Sequence, residues 1–219
     1  MSLWVKICAN TSLEDALLAA EAGADAVGFV FAPSPRHVTA TQVAAITPHL
    51  PATLEKIGVF VDAGFEEIDA TVRECGLTGV QVHSGGGPGL PASLGKRFGG
   101  QVRILRAIHF GPDAAEEVQK LAADPNIDGI LVDSRTATAV GGTGLTFDWT
   151  RARATIFAPQ GPIKLIAAGG LTPANVAEAI ATLHPWGVDV ASGVEASPGR
   201  KDPAKVRDFV TYARAARGD

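Results

Sequence analysis

Two residues of proton-transfer type stand at the ends of apolar runs. Cys8 closes the run Trp4–Cys8, and Asp133 closes Ile130-Leu131-Val132-Asp133. A carboxylate rarely ends an apolar strand for packing reasons, and a thiol becomes a base or nucleophile once it ionises. One such group donating a proton while the other removes one is general acid–base catalysis. The plainer alternatives are a small buried hydrophobe for Cys8 and a cap for Asp133. Lys6 alternates onto the same strand face as Cys8, about 6–7 Å away by strand rise, where its charge would favour the thiolate. Arg36 lies in a short loop stiffened by prolines, Pro33-Ser34-Pro35-Arg36-His37. Its planar fork suits a substrate carboxylate, although a surface ion pair would use it equally well. His83 ends a further apolar run and is either a ligand contact or a satisfied core histidine. Asp189 sits near the end of the last one. Cys75, at a helix end, reads as packing.

A second kind of site is written in glycine. Ile163–Ala168 is followed by Gly169-Gly170, and Gly187–Ala191 by Ser192-Gly193. Glycine at a strand end lets backbone N–H groups approach a ligand with no Cβ in the way. A short helical turn after Ser192 would aim further N–H groups at the same point. Gly169, Gly170, Ser192 and Gly193 are therefore the candidate phosphate cradle, with ordinary turn punctuation as the alternative.

These residues need a scaffold, and the chain alternates strand and helix throughout. Strands are expected at Trp4–Cys8, Ala24–Phe31, Lys56–Val61, Thr78–His83, Val102–His109, Asp128–Asp133, Ile163–Ala168 and Gly187–Ala191. Capping boxes at Thr11-x-x-Glu14 and Thr39-x-x-Gln42 open the first two helices, the second stopping near Pro48. Further helices are expected at Glu66–Cys75, closed by Gly76, weakly at Pro91–Arg97, and at Asp113–Ala123, Phe147–Phe157 and Pro203–Arg217. The helix after Gly170 has Thr172 as N-cap and Pro173 at its first position. Ser84–Gly89 and Ser134–Thr146 are long loops. Eight such units in one domain, residues 1–219, with a phosphate site after strands seven and eight, match a (β/α)8 TIM barrel with short loops. An open doubly wound sheet would use the same alternation. In a barrel, strand C-terminal ends carry the chemistry, which selects Cys8, Arg36, His83, Asp133 and Asp189. It leaves Lys56, Asp128 and Lys164, at strand beginnings, on the stability face.

The chain has 219 residues, against about 250 for a typical barrel. Its net charge is −4 and it has no basic run, which argues against a nucleic-acid surface. No apolar run nears the ~18 residues that span a membrane, and there is no signal-peptide core. Two cysteines without metal spacing or a disulfide framework fit a reduced, cytoplasmic protein. No metal and no cofactor are expected.

Taken together, several ordered motifs resemble the phosphoribosylanthranilate isomerase family. They are KICAN at 6–10, ADAVGFVFAPSPRHVT at 24–39, GVFVDA at 58–63, QVHSG at 81–85, ILVDS at 130–134, GGTGLTFDW at 141–149, AAGGLTPANV at 167–176 and VDVASGVEASPGRKD at 188–202. The resemblance implies a cofactor-independent Amadori rearrangement of N-(5-phosphoribosyl)anthranilate in tryptophan biosynthesis. It matches Asp133 to the general acid, Cys8 to the general base, Arg36 to the holder of the anthranilate carboxylate and Asp189 to a substrate-contacting aspartate. The glycine pairs match the phosphate cradle. The implied partner is a small phosphosugar, and a monomer or weak homodimer is expected. Three residues depart from the family pattern: Ala9 and Ser84 stand where glycine is usual, and Leu145 where lysine is common. Competing readings are a barrel of the indole-glycerol-phosphate synthase kind, a Schiff-base aldolase using Lys6, and a non-catalytic phosphosugar-binding barrel.

Overall fold

The computed structural model describes residues 2–83, 87–134, 148–158 and 163–218. The strands are β1 (Trp4–Ile7), β2 (Ala26–Val30), β3 (Glu55–Phe60), β4 (Gly79–Val82), β5 (Arg103–His109), β6 (Gly129–Asp133), β7 (Lys164–Ala168) and β8 (Gly187–Val190). They pair in sequence order, and β1 pairs in parallel with β8, so the sheet closes into a barrel. The doubly wound alternative is excluded by that closure. Around it run α1 (Leu13–Glu21), α2 (Ala40–Ile46), α3 (Phe65–Cys75), α4 (Leu90–Phe98), α5 (Ala114–Ala122), α6 (Trp149–Thr155), α7 (Val176–Leu183) and α8 (Pro203–Arg217). Between β8 and α8 lies a small antiparallel hairpin, β9 (Glu195–Ser197) and β10 (Arg200–Lys201), which the sequence reading did not foresee.

Period-two alternation sorts the strand residues between two cores. Trp4, Ile57, Leu105, Leu131 and Ile166 fill the barrel interior. Val5, Ile7, Val27, Phe29 and their counterparts face the helices. Both strand faces are thus covered, which is why these runs read as nearly continuous apolar segments.

Several local signals act as read, and two do not. Thr39 Oγ1 accepts from Gln42 N–H at 3.2 Å while Gln42 Oε1 accepts from Thr39 N–H at 2.8 Å, a complete capping box. Gly76 closes α3 at φ 58°, and α8 begins at Pro203 behind the Asp202 cap. The Thr11 box does not form. Ser12 caps α1 by accepting from Asp15 N–H, and Thr11 instead donates to the Gly199 carbonyl. Nor is Thr172 the cap of α7, which starts at Val176 after a turn. Asn175 supplies the reason: its Oδ1 accepts from Thr172 N–H and its Nδ2 donates to the Gly170 carbonyl, holding residues 170–175 as a loop. The expected α6 start at Phe147 falls outside the described residues.

The strand beginnings form a floor. Asp25 Oδ2 accepts from Val5 N–H, Thr78 Oγ1 from Lys56 N–H and Asp128 Oδ2 from Ile104 N–H, each securing the start of the preceding strand. Trp4 stacks on Trp186 at 5.2 Å, and Arg103 and Lys164 lie over the Trp186 ring. Arg103 also holds Glu55 bidentately at 2.8 and 2.9 Å. Lys56 donates to the Pro51 carbonyl.

Candidate active site

At the other end of the barrel the chain places the candidate residues around the strand C-terminal ends. Cys8 is the first residue after β1, Asp133 the last of β6, His83 the first after β4, and Asp189 lies within β8. The glycine pair Gly169-Gly170 follows β7, and Ser192–Val194 forms a short 3₁₀ turn after β8. Cys8 is held by its N–H, which donates to the Val190 carbonyl at 2.7 Å. The next residue, Ala9, has φ 61°. Glycine would adopt that left-handed conformation freely, whereas alanine carries it at a cost of roughly 1 kcal/mol.

Beneath Cys8 the barrel interior is polar. Lys6 is fully buried and donates to Asp189 Oδ1 at 2.7 Å and Gln81 Oε1 at 2.8 Å. Gln81 Nε2 in turn lies 2.9 Å from His83 Nε2. Burial works against the Lys6 ammonium, but Asp189 and the Cys8 sulfur beside it outweigh that and raise its pKa. A charged, doubly bonded ammonium is a poor amine nucleophile, so the Schiff-base reading of Lys6 loses its basis. For Cys8, burial is the largest influence and pushes the thiol up, with Lys6 and Lys201 pulling down and Asp189 adding to the rise. Lys6 thus favours the thiolate as expected without overcoming burial. Gly28 makes this stack possible. A Cβ there would lie 2.6 Å from Cys8 Sγ and 3.0 Å from Lys6 Cε.

The glycines read as a candidate cradle serve the protein's own packing. Gly169 has φ 80°, and a Cβ on it would overlap Asp133 Oδ1 and Ser134 Oγ. Glycine at 169 is what lets the Asp133 carboxylate sit against the β7 end. Gly170 has φ 64°. At Gly193 a Cβ would overlap the Leu171 carbonyl oxygen, so the 3₁₀ turn can pack on the loop after β7 only with glycine. Substituting either residue would disturb the fold before it reported on any ligand.

Arg36 is placed by a tight turn in which Ser34 Oγ accepts its N–H at 3.0 Å and the Ser34 carbonyl accepts from His37 N–H. Its guanidinium is engaged: Nε donates to Glu195 Oε1 at 2.8 Å and Nη2 to Oε2 at 2.6 Å. Sequence reading missed three residues here: Glu195, Lys201 and Gln81. Gln81 was discoverable, two residues before His83 on the same strand face. The other two lay in the motif after Gly193 without a role. Ser84 and the loop carrying Gly141, Gly142, Gly144 and Leu145 lie outside the described residues. Among the described residues no cluster of three or more His, Cys, Asp or Glu side chains suits a metal ion, and no helix is long and apolar enough to cross a membrane.

Residues 5–212 match the family model described as N-(5'phosphoribosyl)anthranilate (PRA) isomerase. An N-(5'-phosphoribosyl)anthranilate isomerase of Pelobacter propionicus is 41% identical over 216 residues, covering 98% of this chain and 97% of that protein. The crystal structure of phosphoribosyl anthranilate isomerase from Thermotoga maritima superposes with a TM-score of 0.81 at 35% identity, covering 97% of this chain and 99% of that one. A phosphoribosyl anthranilate isomerase solved in complex with reduced 1-(o-carboxyphenylamino)-1-deoxyribulose 5-phosphate superposes at 0.78 with 33% identity and the same coverage.

Proposed function

This chain belongs to the N-(5'-phosphoribosyl)anthranilate isomerase family, and on that premise we propose that it converts N-(5-phosphoribosyl)anthranilate to 1-(2-carboxyphenylamino)-1-deoxyribulose 5-phosphate. The phosphate binds to backbone N–H groups at Gly169-Gly170 and Ser192-Gly193, and the anthranilate carboxylate to Arg36. The ribose then lies between these anchors, within reach of the acid and the base.

Asp133, as the acid, gives its proton to the ring oxygen. The C1–O bond breaks and the nitrogen lone pair forms the C1 iminium. The cation next to C2 acidifies the C2–H bond, and it also favours ionisation of the nearby Cys8 thiol, which burial otherwise keeps neutral. The Cys8 thiolate removes the C2 proton, and the C–H electrons flow into the iminium to give an enolamine. Reprotonation at C1 with loss of the C2 hydroxyl proton yields the ketone. C1 is reduced as C2 is oxidised, so the electrons balance within the substrate and the proposal includes no cofactor. Asp189, tied to Lys6, and His83, tied to Gln81, contact the substrate. The observation that carries the reading is a full-length family match in which Cys8 and Asp133 both stand at strand C-terminal ends of a closed barrel.

Mixing the purified protein with freshly made N-(5-phosphoribosyl)anthranilate should give a decrease in substrate fluorescence. Cys8→Ser, nearly isosteric and far less basic, should fold and slow this by at least about 10²-fold. Absence of turnover by the unaltered protein, with binding intact, would leave the non-catalytic phosphosugar barrel in its place.

A further inference from the structure

The hairpin β9–β10 has no part in the acid, base or phosphate assignments, yet it touches Arg36, the proposed base Cys8 and the residue before the phosphate turn. Glu195 begins it, and its carboxylate takes one edge of the Arg36 fork through Nε and Nη2. Glu195 is itself fixed: Gly199 N–H donates to Oε1 at 3.3 Å, Lys201 Nζ lies 3.5 Å from the same oxygen, and Lys205 donates to its carbonyl at 2.8 Å. Lys201, buried, reaches back to the Cys8 carbonyl at 2.6 Å and the Ala191 carbonyl at 3.2 Å. Cys8 is the proposed base, and Ala191 immediately precedes the 3₁₀ turn of the phosphate cradle.

We infer that Glu195 is a positioning residue that pins Arg36 by its inner edge and so orients the outer Nη1–Nη2 edge toward the aryl carboxylate of the substrate. The inference rests on the reading of Arg36 as carboxylate anchor. A guanidinium can hold two carboxylates on two edges, and Glu195 uses only Nε and one hydrogen of Nη2. Charge is arranged to suit. Glu195 and Lys201 offset each other, which leaves the Arg36 charge for the ligand. Holding a long flexible side chain in place beforehand spares the ligand part of the ordering cost, worth roughly 0.5–1.5 kcal/mol for one such side chain. Burial raises the Glu195 carboxyl, but its hydrogen bonds to Arg36 and the Lys201 charge hold it below the usual range, so it stays an anion. The opposite role is also chemically possible: Glu195 as a stand-in for the substrate carboxylate, to be displaced on binding.

Calorimetry with two unreactive ligands separates these roles: reduced 1-(2-carboxyphenylamino)-1-deoxyribulose 5-phosphate, and the same compound lacking the aryl carboxylate. Arg36→Ala should weaken the first and spare the second. Glu195→Gln should weaken the first by about three- to tenfold, the equivalent of that ordering cost. It should leave the second unchanged and add nothing in an Arg36→Ala background. Glu195→Asp, one methylene short of the fork but still charged beside Lys201, should behave alike and serves if the glutamine variant does not fold. Tighter binding of the carboxylated ligand by Glu195→Gln would make Glu195 a competitor and overturn the inference. Equal weakening of both ligands, or a loss that persists without Arg36, would reduce it to structural support. Should Arg36→Ala treat both ligands alike, the anchor reading itself fails and this inference fails with it.

Discussion

The barrel carries two bidentate arginine–glutamate pairs, one at each end, with nearly the same geometry. Arg103 grips Glu55 through Nε and Nη2 at 2.8 and 2.9 Å; Arg36 grips Glu195 through the same two nitrogens at 2.8 and 2.6 Å. Their surroundings differ. Arg103 lies over the Trp186 ring, and Glu55 also accepts from Trp4 Nε1 at 3.3 Å, so both members of the floor pair engage tryptophans. No aromatic ring covers Arg36 among the described residues. Strand β6 repeats the contrast with two aspartates. Asp128, just before it, accepts from Ile104 N–H on the floor, whereas Asp133, at its end, lies where a Cβ at residue 169 would overlap its carboxylate. Residue type alone does not distinguish structure from chemistry. Which end of the strand a group occupies does.

The largest expected effect tests the two aspartates. Asp133→Asn keeps the shape and removes the acidic proton, so kcat should fall by at least about 10²-fold with the melting temperature little changed. Asp128→Ala should do the reverse, costing roughly 1 kcal/mol of stability for one lost hydrogen bond and leaving kcat intact. Steady-state kinetics and thermal melts on both variants decide it. A modest kinetic loss in Asp133→Asn would put that residue in the same class as Asp128.

The two arginines come next. Arg36→Ala should raise KM by about 10–100-fold, the range for one charge-assisted, bidentate carboxylate contact, and should lower Tm as well, because it leaves the buried Glu195 carboxylate without its fork. Arg103→Ala should leave KM alone while losing the ion pair, the contact with Trp186 and the packing of its stem, about 2 kcal/mol in all. For a chain of this size that is roughly 5 °C in Tm. If Arg36→Ala instead melts early with KM unchanged, the two pairs are equivalent and the contrast collapses.

The fold was legible because every strand is a short apolar run and the helix stops are chemically marked, as Gly76 and the Thr39–Gln42 box illustrate. The rule that strand ends carry chemistry then selected Cys8 and Asp133 from spacing alone. Other features depend on contacts distant in sequence. Thr11 scores as a cap by local pattern, but Gly199, 188 residues away, claims its hydroxyl. Thr172 loses its role to an asparagine whose side chain can close the loop. Glu195 and Lys201 were invisible as site residues because their partners, Arg36 and Cys8, lie far back in the chain and across the barrel mouth. The glycines at 169 and 193 were read as making room for a ligand. Their nearest demand comes from Ser134, Asp133 and Leu171, which no local pattern discloses.

Lys6 belongs by position to neither end, and the smallest effect decides where it falls. It bonds to Asp189 and Gln81 as a structural ion would, but it also lies under the Cys8 sulfur. The charged groups acting on that sulfur are Lys6 on β1, Asp189 on β8, Lys201 on β10 and, from the loop after β2, Arg36. Burial raises the thiol above its ordinary value and Lys6 lowers it. Activity that requires the thiolate should therefore climb with pH toward the alkaline side. Removing the cation in Lys6→Met raises the thiol further, so the rising limb of kcat/KM should move to higher pH and the rate at neutral pH should fall. Asp189 left unpaired pushes the same way, because an anion near the sulfur disfavours the thiolate. A Lys6→Met/Asp189→Asn double variant removes both charges and should shift the limb less. Alkylation gives a second readout with an internal control. The Cys8 rate should drop in Lys6→Met, while Cys75, whose thiol burial pushes up to about 11, should be slow and unaffected. If the pH limb stays in place and only the melting temperature falls, Lys6 joins the floor pairs as a structural ion and Cys8 ionises without its help.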